Sequence, residues 1–269
     1  MPWMDANGIS IHFELAGQGP SVVLLHEMGG TLDSWDGIAP ALSERFRTLR
    51  YDQRGSGLSE KVRQPIATEI LVEDLEAVLQ GSALAAPYHF VTVAAATMQA
   101  LIYMGRHPDR IASFVFCNPF TGADPSRVAA LEERAGLAER EGLRKALAVT
   151  LDKSWPAEIG DRAAYAAYRG RYLAHDPVCF AAMNRSIVRP NVTHLAKDIR
   201  RPNMVVAGRF DQVRPPAASE QFARTIPGAR FELIDAVHMM PAQAPDALLA
   251  LLLDFLGAPA ASTTRQRAG

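Results

Sequence analysis

Short runs of apolar residues, bounded by turn residues, recur along this chain and predict the strands of a sheet. Residues 4–6 and 9–15 flank Asn7 and Gly8, a pair that favours a tight hairpin turn. A continuous apolar run at residues 22–25 is typical of a strand that is buried on both faces. Further strand-like runs lie at residues 48–51, 90–93, 113–117, 204–207 and 231–234.

Between these runs the apolar residues recur at helical spacing. This periodicity predicts helices over residues 35–46 and 217–225, a helix after Pro65, a helix after the strand at residues 90–93, and a closing helix. Strands that alternate with helices of this length are typical of the α/β class. We therefore expect a mostly parallel, doubly wound central sheet with helices on both faces.

The alternation stops between residues 120 and 190. This segment is mixed in polarity, has no strand-like run, and shows helical periodicity over residues 127–147 and 161–173. An all-helical insertion here predicts a lid over the carboxyl edge of the sheet, where open α/β folds bind ligands. The predicted domains are thus a core in two parts, residues 1–119 and 191–257, a helical lid at 120–190, and a disordered tail at 258–269.

Composition narrows the class of protein without identifying it. The chain has 269 residues, a net charge of −1, 48% apolar and 21% charged residues, which is ordinary for a soluble globular domain. There is no basic field for nucleic acid or anionic lipid, and no signal peptide or bilayer-length apolar segment. Two cysteines, Cys117 and Cys179, fit a reducing compartment. We expect a cytoplasmic protein.

The same observations set expectations for partners and cofactors. The histidines do not have metal-ligand spacing, and Gly29 and Gly30 lack the pattern of a nucleotide-binding loop. We expect a small-molecule substrate, no cofactor, no metal, no nucleic acid and no membrane partner. The sequence leaves the oligomeric state open, with a homodimer as one alternative.

Four loops that follow predicted strands carry unusual residues. They lie at residues 26–30, 94–96, 208–213 and 235–241, and the last two contain Asp211 and His238. Because the carboxyl ends of parallel strands meet at one edge of a sheet, we expect these loops to form one site.

The chain resembles the α/β-hydrolases, and within them the 3-oxoadipate enol-lactonase-like branch. The resemblance covers residues 1–257 and rests on six stretches in the family order. These are NGISIHFELAG, VVLLHEMGG, FRTLRYDQRGSGLSE, RHPDRIASFVFCNP, PNMVVAGRFDQVRPP and PGARFELIDAVHMMPAQAPDAL. It implies cofactor-free hydrolysis of a small ester, enol-lactone or related carbonyl compound.

The resemblance also implies roles for individual residues. His238 corresponds to the general base and Asp211, 27 residues earlier, to the acid that orients it. Met28 and Ala95 correspond to the residues whose backbone N–H groups form the oxyanion hole. The simpler alternatives are a surface or capping histidine, a turn aspartate at Asp211, and a Met28 that only lines a pocket.

The nucleophile of this family sits in a Gly-x-Ser-x-Gly elbow between a strand and a helix. Here the elbow reads TVAAA over residues 92–96, so that Ala94 holds the nucleophile position. Three explanations are open: a deliberate change of serine or cysteine to alanine, a natural loss, or a native nucleophile in an alanine-rich elbow that was later mutated. A natural loss would remove the need for a strained turn. Thr97, the nearest hydroxyl, is expected to be structural.

Glu27 is a second departure from the family, which usually has glycine at this position. We expect its carboxylate at the mouth of the site, near Ala94. In dienelactone hydrolases an acidic residue in the corresponding loop partners a cysteine nucleophile, so Glu27 is a candidate for acid–base assistance. The alternative is a Glu27 that points into solvent or forms a salt bridge with Arg54.

These residues support three competing functions. The first is a hydrolase in which His238 and Asp211 activate water, because covalent catalysis is lost at Ala94. The second is a cofactor-independent lyase or dioxygenase, in which the same base deprotonates the substrate. The third is a ligand-binding pseudo-hydrolase without catalysis. The retained Asp211–His238 pair favours an enzyme, because a receptor needs no base.

Overall fold

The computed structural model describes residues 2–257. Its centre is an eight-stranded sheet with the strand order β1-β2-β4-β3-β5-β6-β7-β8. The strands are β1 Trp3–Ala6, β2 Ile9–Ala16, β3 Ser21–Leu25, β4 Arg47–Tyr51, β5 Tyr88–Val93, β6 Ile111–Cys117, β7 Asn203–Gly208 and β8 Arg230–Ile234. β2 is antiparallel to β1 and β4, and the pairs from β4 through β8 are parallel. The predicted α/β fold class is confirmed.

Helices fill the connections between the strands. They are α1 Ala39–Ser43, α2 Thr68–Gly81, α3 Ala96–Arg106, α4 Val128–Glu141, α5 Leu143–Ala146, α6 Leu151–Ser154, α7 Arg162–Leu173, α8 Pro177–Ser186, α9 Pro216–Arg224, α10 Met240–Gln243 and α11 Pro245–Gly257. No helix within residues 2–257 is long and apolar enough to cross a membrane.

The central strands are buried on both faces, as their continuous apolar sequences predict. Alternate side chains of each strand enter opposite cores, because the side-chain period of a strand is two. Phe90 and Phe114 pack with α2, α3 and α9 on one face. Val91 and Val115 pack with α1 and α11 on the other. This two-sided burial fixes the strand register and therefore the positions of the loops at the carboxyl edge.

The helices α4 to α8 form the segment inserted between β6 and β7. Their apolar side chains build a separate cluster around Trp155 and Tyr168, and this cluster includes Val237 and Met239 from the loop after β8. A backbone bridge between Gly122 and Asn191 joins the two ends of the insertion. The segment therefore packs directly on the carboxyl edge of the sheet, although its exact boundaries as a lid remain a prediction.

Two predicted helices are shorter in the structure. The helix expected over residues 35–46 is a 3-10 turn at Leu32–Trp35 followed by α1, because Pro40 lacks the N–H needed inside a helix and is accommodated at a new helix start. The helix expected over residues 127–147 ends at Gly142, whose φ of 80° interrupts it. The tail predicted at residues 258–269 lies outside the described residues.

Candidate active site

The elbow between β5 and α3 keeps the backbone geometry of a nucleophile turn. Ala94 has a φ of 50°, in the left-handed region that costs a non-glycine residue about 1 kcal/mol. Its N–H donates to the carbonyl of Cys117 at 2.9 Å, and its carbonyl accepts the N–H of Phe120 at 3.1 Å. The exit from β6 thus holds the strained turn in place. The turn keeps its positive φ although an alanine occupies the nucleophile position.

The hydroxyl and thiol groups nearest the elbow are packed inside the protein. The side chains of Thr92 and Thr97 lie 3.1 Å apart, oxygen to oxygen, in a fully buried pair. This contact confirms that Thr97 packs inside the protein and does not face the site. Cys117 is equally buried, and burial raises the pKa of its thiol, with a smaller contribution from the charge of Glu27. Neither residue is placed to serve as a substitute nucleophile.

His238 and Asp211 form the pair that the sequence predicts. Nδ1 of His238 lies 2.6 Å from Oδ2 of Asp211, and the two residues are 8% and 4% exposed. Oδ1 of Asp211 accepts the backbone N–H groups of Val213 and Arg214, both at 2.7 Å. Because the ionised carboxylate is only an acceptor, Nδ1 carries the proton and Nε2 is left as the base. Among the described residues Nε2 has no protein partner, and the ring lines a cavity.

Asn118, directly after β6, connects the loops of the acid and the base. Its Nδ2 donates to the carbonyls of Val237 and His238 at 3.2 Å, and its Oδ1 accepts the N–H of Gly208 at 2.8 Å. The N–H of His238 donates in turn to the carbonyl of Ser154 in the inserted segment. Asn118 was not among the predicted site residues, although a polar residue directly after a buried strand is a signal for a site role.

Met28 and Ala95 both line the cavity beside Ala94. Within residues 2–257, neither backbone N–H is bonded to a protein acceptor. Non-helical N–H groups at a partly buried position are usually paired. Two unpaired donors on either side of the elbow are therefore suited to a ligand oxygen, as an oxyanion hole requires.

Glu27 does not lie where the sequence predicts. It is 1% exposed and is not among the residues that line the cavity at Ala94. Its Oε1 accepts the hydroxyl groups of Ser34 at 2.8 Å and Tyr168 at 2.7 Å, while Oε2 is buried without a partner. Arg54 pairs instead with Asp74. The structure therefore contradicts all three predictions for Glu27: a carboxylate at the mouth of the site, an exposed side chain, and a salt bridge with Arg54.

The cavity at the elbow has a volume of about 70 Å³. The inserted helices and the strand-end loops both contribute to its wall. Its lining residues are Met28, Ala94, Ala95, Phe120, Arg127, Leu131, Arg134, Thr150, Ser154, Tyr172, Phe180, Asn184, Ile187, Val213, Arg214, His238 and Met239. Among the large aromatic residues, Tyr172 lines the cavity, whereas Trp35, Trp155 and Tyr168 are core residues. No sequence pattern predicted that arginines would line this cavity.

Comparisons with known proteins agree with this arrangement. An enol-lactonase from Burkholderia xenovorans superposes with a TM-score of 0.88 at 28% identity, over 96% of this chain and 100% of that chain. A hydrolase from Pseudomonas aeruginosa superposes with a TM-score of 0.87 at 27% identity, over 96% and 98%. A candidate carbamate hydrolase, RutD, from Azorhizobium caulinodans is 26% identical over 267 residues, 96% of this chain and 98% of that protein.

A family model described as the alpha/beta hydrolase fold matches residues 20–245, which is most of the chain. The matched region includes the elbow, the acid, the base and the inserted helices. The chain belongs to the α/β-hydrolase fold family.

Proposed function

We propose that this protein hydrolyses a small carboxylic ester or lactone with a water molecule that His238 activates. The observation that carries the proposal is the convergence of three free groups on one cavity, the Nε2 of His238 and the N–H groups of Met28 and Ala95. Ala94 excludes a covalent acyl-enzyme, and neither Thr97 nor Cys117 is placed to replace it. The names of the relatives, an enol-lactonase among them, agree with a small carbonyl substrate.

The chemical steps need only the residues present. His238 Nε2 takes a proton from water as the water oxygen bonds to the carbonyl carbon, and the carbonyl electron pair moves onto its oxygen. The N–H groups of Met28 and Ala95 bind that oxyanion. The carbonyl then re-forms, the bond to the leaving oxygen breaks, and the imidazolium returns the proton to the leaving group. The products are the acid and the alcohol.

This mechanism is expected to be slower than one with a serine nucleophile. An intact oxyanion hole and substrate binding alone retain about 10³- to 10⁴-fold acceleration over water when a triad is disabled. The Asp211–His238 pair adds general-base catalysis, which contributes about 10²- to 10⁴-fold. Measurable turnover of activated esters is therefore expected from the chain as it stands.

The test compares the chain with its A94S variant on 4-nitrophenyl esters and aryl lactones. The unaltered chain should release nitrophenol linearly, with no initial burst and no acyl adduct in the intact mass. A94S should show a burst equal to the enzyme concentration, because the elbow already has nucleophile geometry. Absence of turnover by the unaltered chain across the panel would overturn the proposal, and a burst from that chain would overturn the water mechanism.

A further inference from the structure

Positive charge is concentrated in the wall of the catalytic cavity. Arg127, Arg134 and Arg214 line it, and no aspartate or glutamate is among the lining residues. Arg127 and Arg134 come from the inserted segment, whereas Arg214 follows Asp211 on the loop after β7. The two sides of the cavity therefore contribute charge of the same sign.

None of these three guanidinium groups forms an ion pair within the described residues, although Nη2 of Arg214 donates to the carbonyl of Ala218 at 3.5 Å. Within residues 2–257, ten other arginines form ion pairs with carboxylates, and these three form none. Arg140, on the same helix as Arg134, pairs with Glu133 on the outer surface. Asp211 is near Arg214, but both its oxygens already accept other hydrogen bonds.

Two of these arginines are partly buried, and in each the Nε atom is fully buried. The Nε atoms of Arg134 and Arg214 have no accessible surface and no hydrogen-bond partner. Burial lowers the pKa of both guanidinium groups, and the charge of the nearby Arg127 lowers it further. Arginine nonetheless stays charged in proteins. A charge that is partly removed from water is stabilised by a partner of opposite sign, so these groups are suited to an anion that arrives with the ligand.

The remainder of the wall indicates the shape of that ligand. Most other lining residues are apolar, among them Leu131, Phe180 and Ile187. An apolar wall with a few converging polar groups is typical of a site for a small molecule with one polar end. Guanidinium groups bind carboxylate and phosphate oxygens with paired hydrogen bonds.

We propose that the substrate carries a second, anionic group, a carboxylate or a phosphate, that Arg134 and Arg214 bind while His238 acts on the scissile carbonyl. Arg127, which is exposed, contributes long-range attraction at the entrance. This inference rests on the proposed function for the reaction, but the anion site stands on the cavity itself. The anion site adds a negative charge to the proposed substrate, which was so far defined only as a small ester or lactone.

The kinetic test uses a matched pair of substrates, mono-4-nitrophenyl adipate and its neutral methyl ester. The unaltered chain should favour the anionic ester by at least tenfold in kcat/KM. R134M and R214M should each reduce that preference by roughly 10- to 100-fold, the usual range for a lost hydrogen bond to a charged group. R140M, on the outer face of the same helix, is the matched control and should leave the preference unchanged. Equal preference in all four proteins would overturn the proposal.

A binding test separates this proposal from the chemistry. The protein samples are the H238A variant and the H238A/R134M double variant. Calorimetry measures how tightly each binds pentanoate, butyl phosphate and neutral pentanamide. Pentanoate or butyl phosphate should bind at least tenfold more tightly than pentanamide, and the tighter of the two identifies the anion. R134M should remove that difference without lowering the melting temperature, because it deletes a partly buried charge that forms no ion pair within the described residues. Two results would overturn the anion site. One is equally tight binding of the amide and the two anions. The other is an R134M variant that fails to fold, together with an R214M variant that still binds the anions as tightly as before. Anion binding without turnover would refute only the proposed function.

Discussion

The substitution D211N isolates the contribution of the acid while preserving the shape of the site. Asp211 is buried and uses one oxygen for His238 Nδ1 and the other for the N–H groups of Val213 and Arg214. The asparagine amide has one oxygen and one NH₂ group, so it cannot accept from both sides. Its preferred orientation keeps the oxygen on the two backbone N–H groups and turns the NH₂ towards His238.

That orientation moves the proton of His238 to Nε2 and removes the base from the cavity. The productive orientation leaves two buried N–H groups unpaired, at about 1 to 3 kcal/mol each. A total of about 2 to 6 kcal/mol corresponds to a productive population that is roughly 30- to 10⁴-fold smaller. The comparable change in a Ser-His-Asp triad lowers kcat by about 10⁴-fold. We therefore expect kcat/KM to fall by at least 30-fold.

The assay is ester hydrolysis at saturating and limiting substrate, with D235N as the control. Asp235 lies on the same loop as His238 but is exposed and pairs with Arg209, so D235N should retain activity within about twofold. Nitrogen NMR of His238 gives a readout that needs no substrate, because D211N should shift the proton from Nδ1 to Nε2. Activity of D211N within threefold of the unaltered chain, with the proton still on Nδ1, would refute the reasoning.

Three further predictions follow from individual contacts. E27Q should keep kcat/KM within threefold, because Glu27 lies outside the cavity lining, and a loss above a hundredfold in esterase assays would return it to the catalytic machinery. A94G should raise the free energy of unfolding in urea by up to about 1 kcal/mol, because glycine adopts the positive φ of this position without strain. The control A100G, inside α3, should lower it by about 1 kcal/mol. Similar losses of stability in both variants would contradict the strained elbow. Burial lowers the pKa of His175, so the folded protein binds this proton less readily than the unfolded chain. Stability should be full above about pH 6.5 and fall on acidification by up to about 1.4 kcal/mol per pH unit, and an unchanged pH slope in H175Q would refute this assignment.

The strands and the Asp211–His238 pair could be predicted because their signals are local. Each central strand is a run of apolar residues that only a two-sided core can bury. Asp211 lies in the loop after such a strand, β7, and His238 in the loop after the edge strand β8. The ends of the helices were harder to predict from the sequence. Pro40 and Gly142 change the path of a helix only through backbone constraints that periodicity does not measure.

The parts that could not be predicted depend on side-chain direction across long sequence separations. Glu27 follows a strand end like a site residue, yet Tyr168, 141 residues later, binds it in the core. Arg134 lies in a mixed-polarity helix and resembles a solvent-exposed arginine until the fold turns it inward. Asn118 links two loops that are distant in sequence. These pairings arise from packing of the inserted helices on the sheet, for which a single sequence holds no direct signal.

Replacement of His238 tests most directly whether one histidine activates the attacking water. The measurement is kcat/KM of H238A and of the unaltered chain on the same 4-nitrophenyl ester, with circular dichroism to verify that both are folded. We predict a loss of at least about 10²-fold, the lower range of general-base catalysis, with KM changed little. Turnover by folded H238A at the rate of the unaltered chain would contradict the role of His238 and the water mechanism with it.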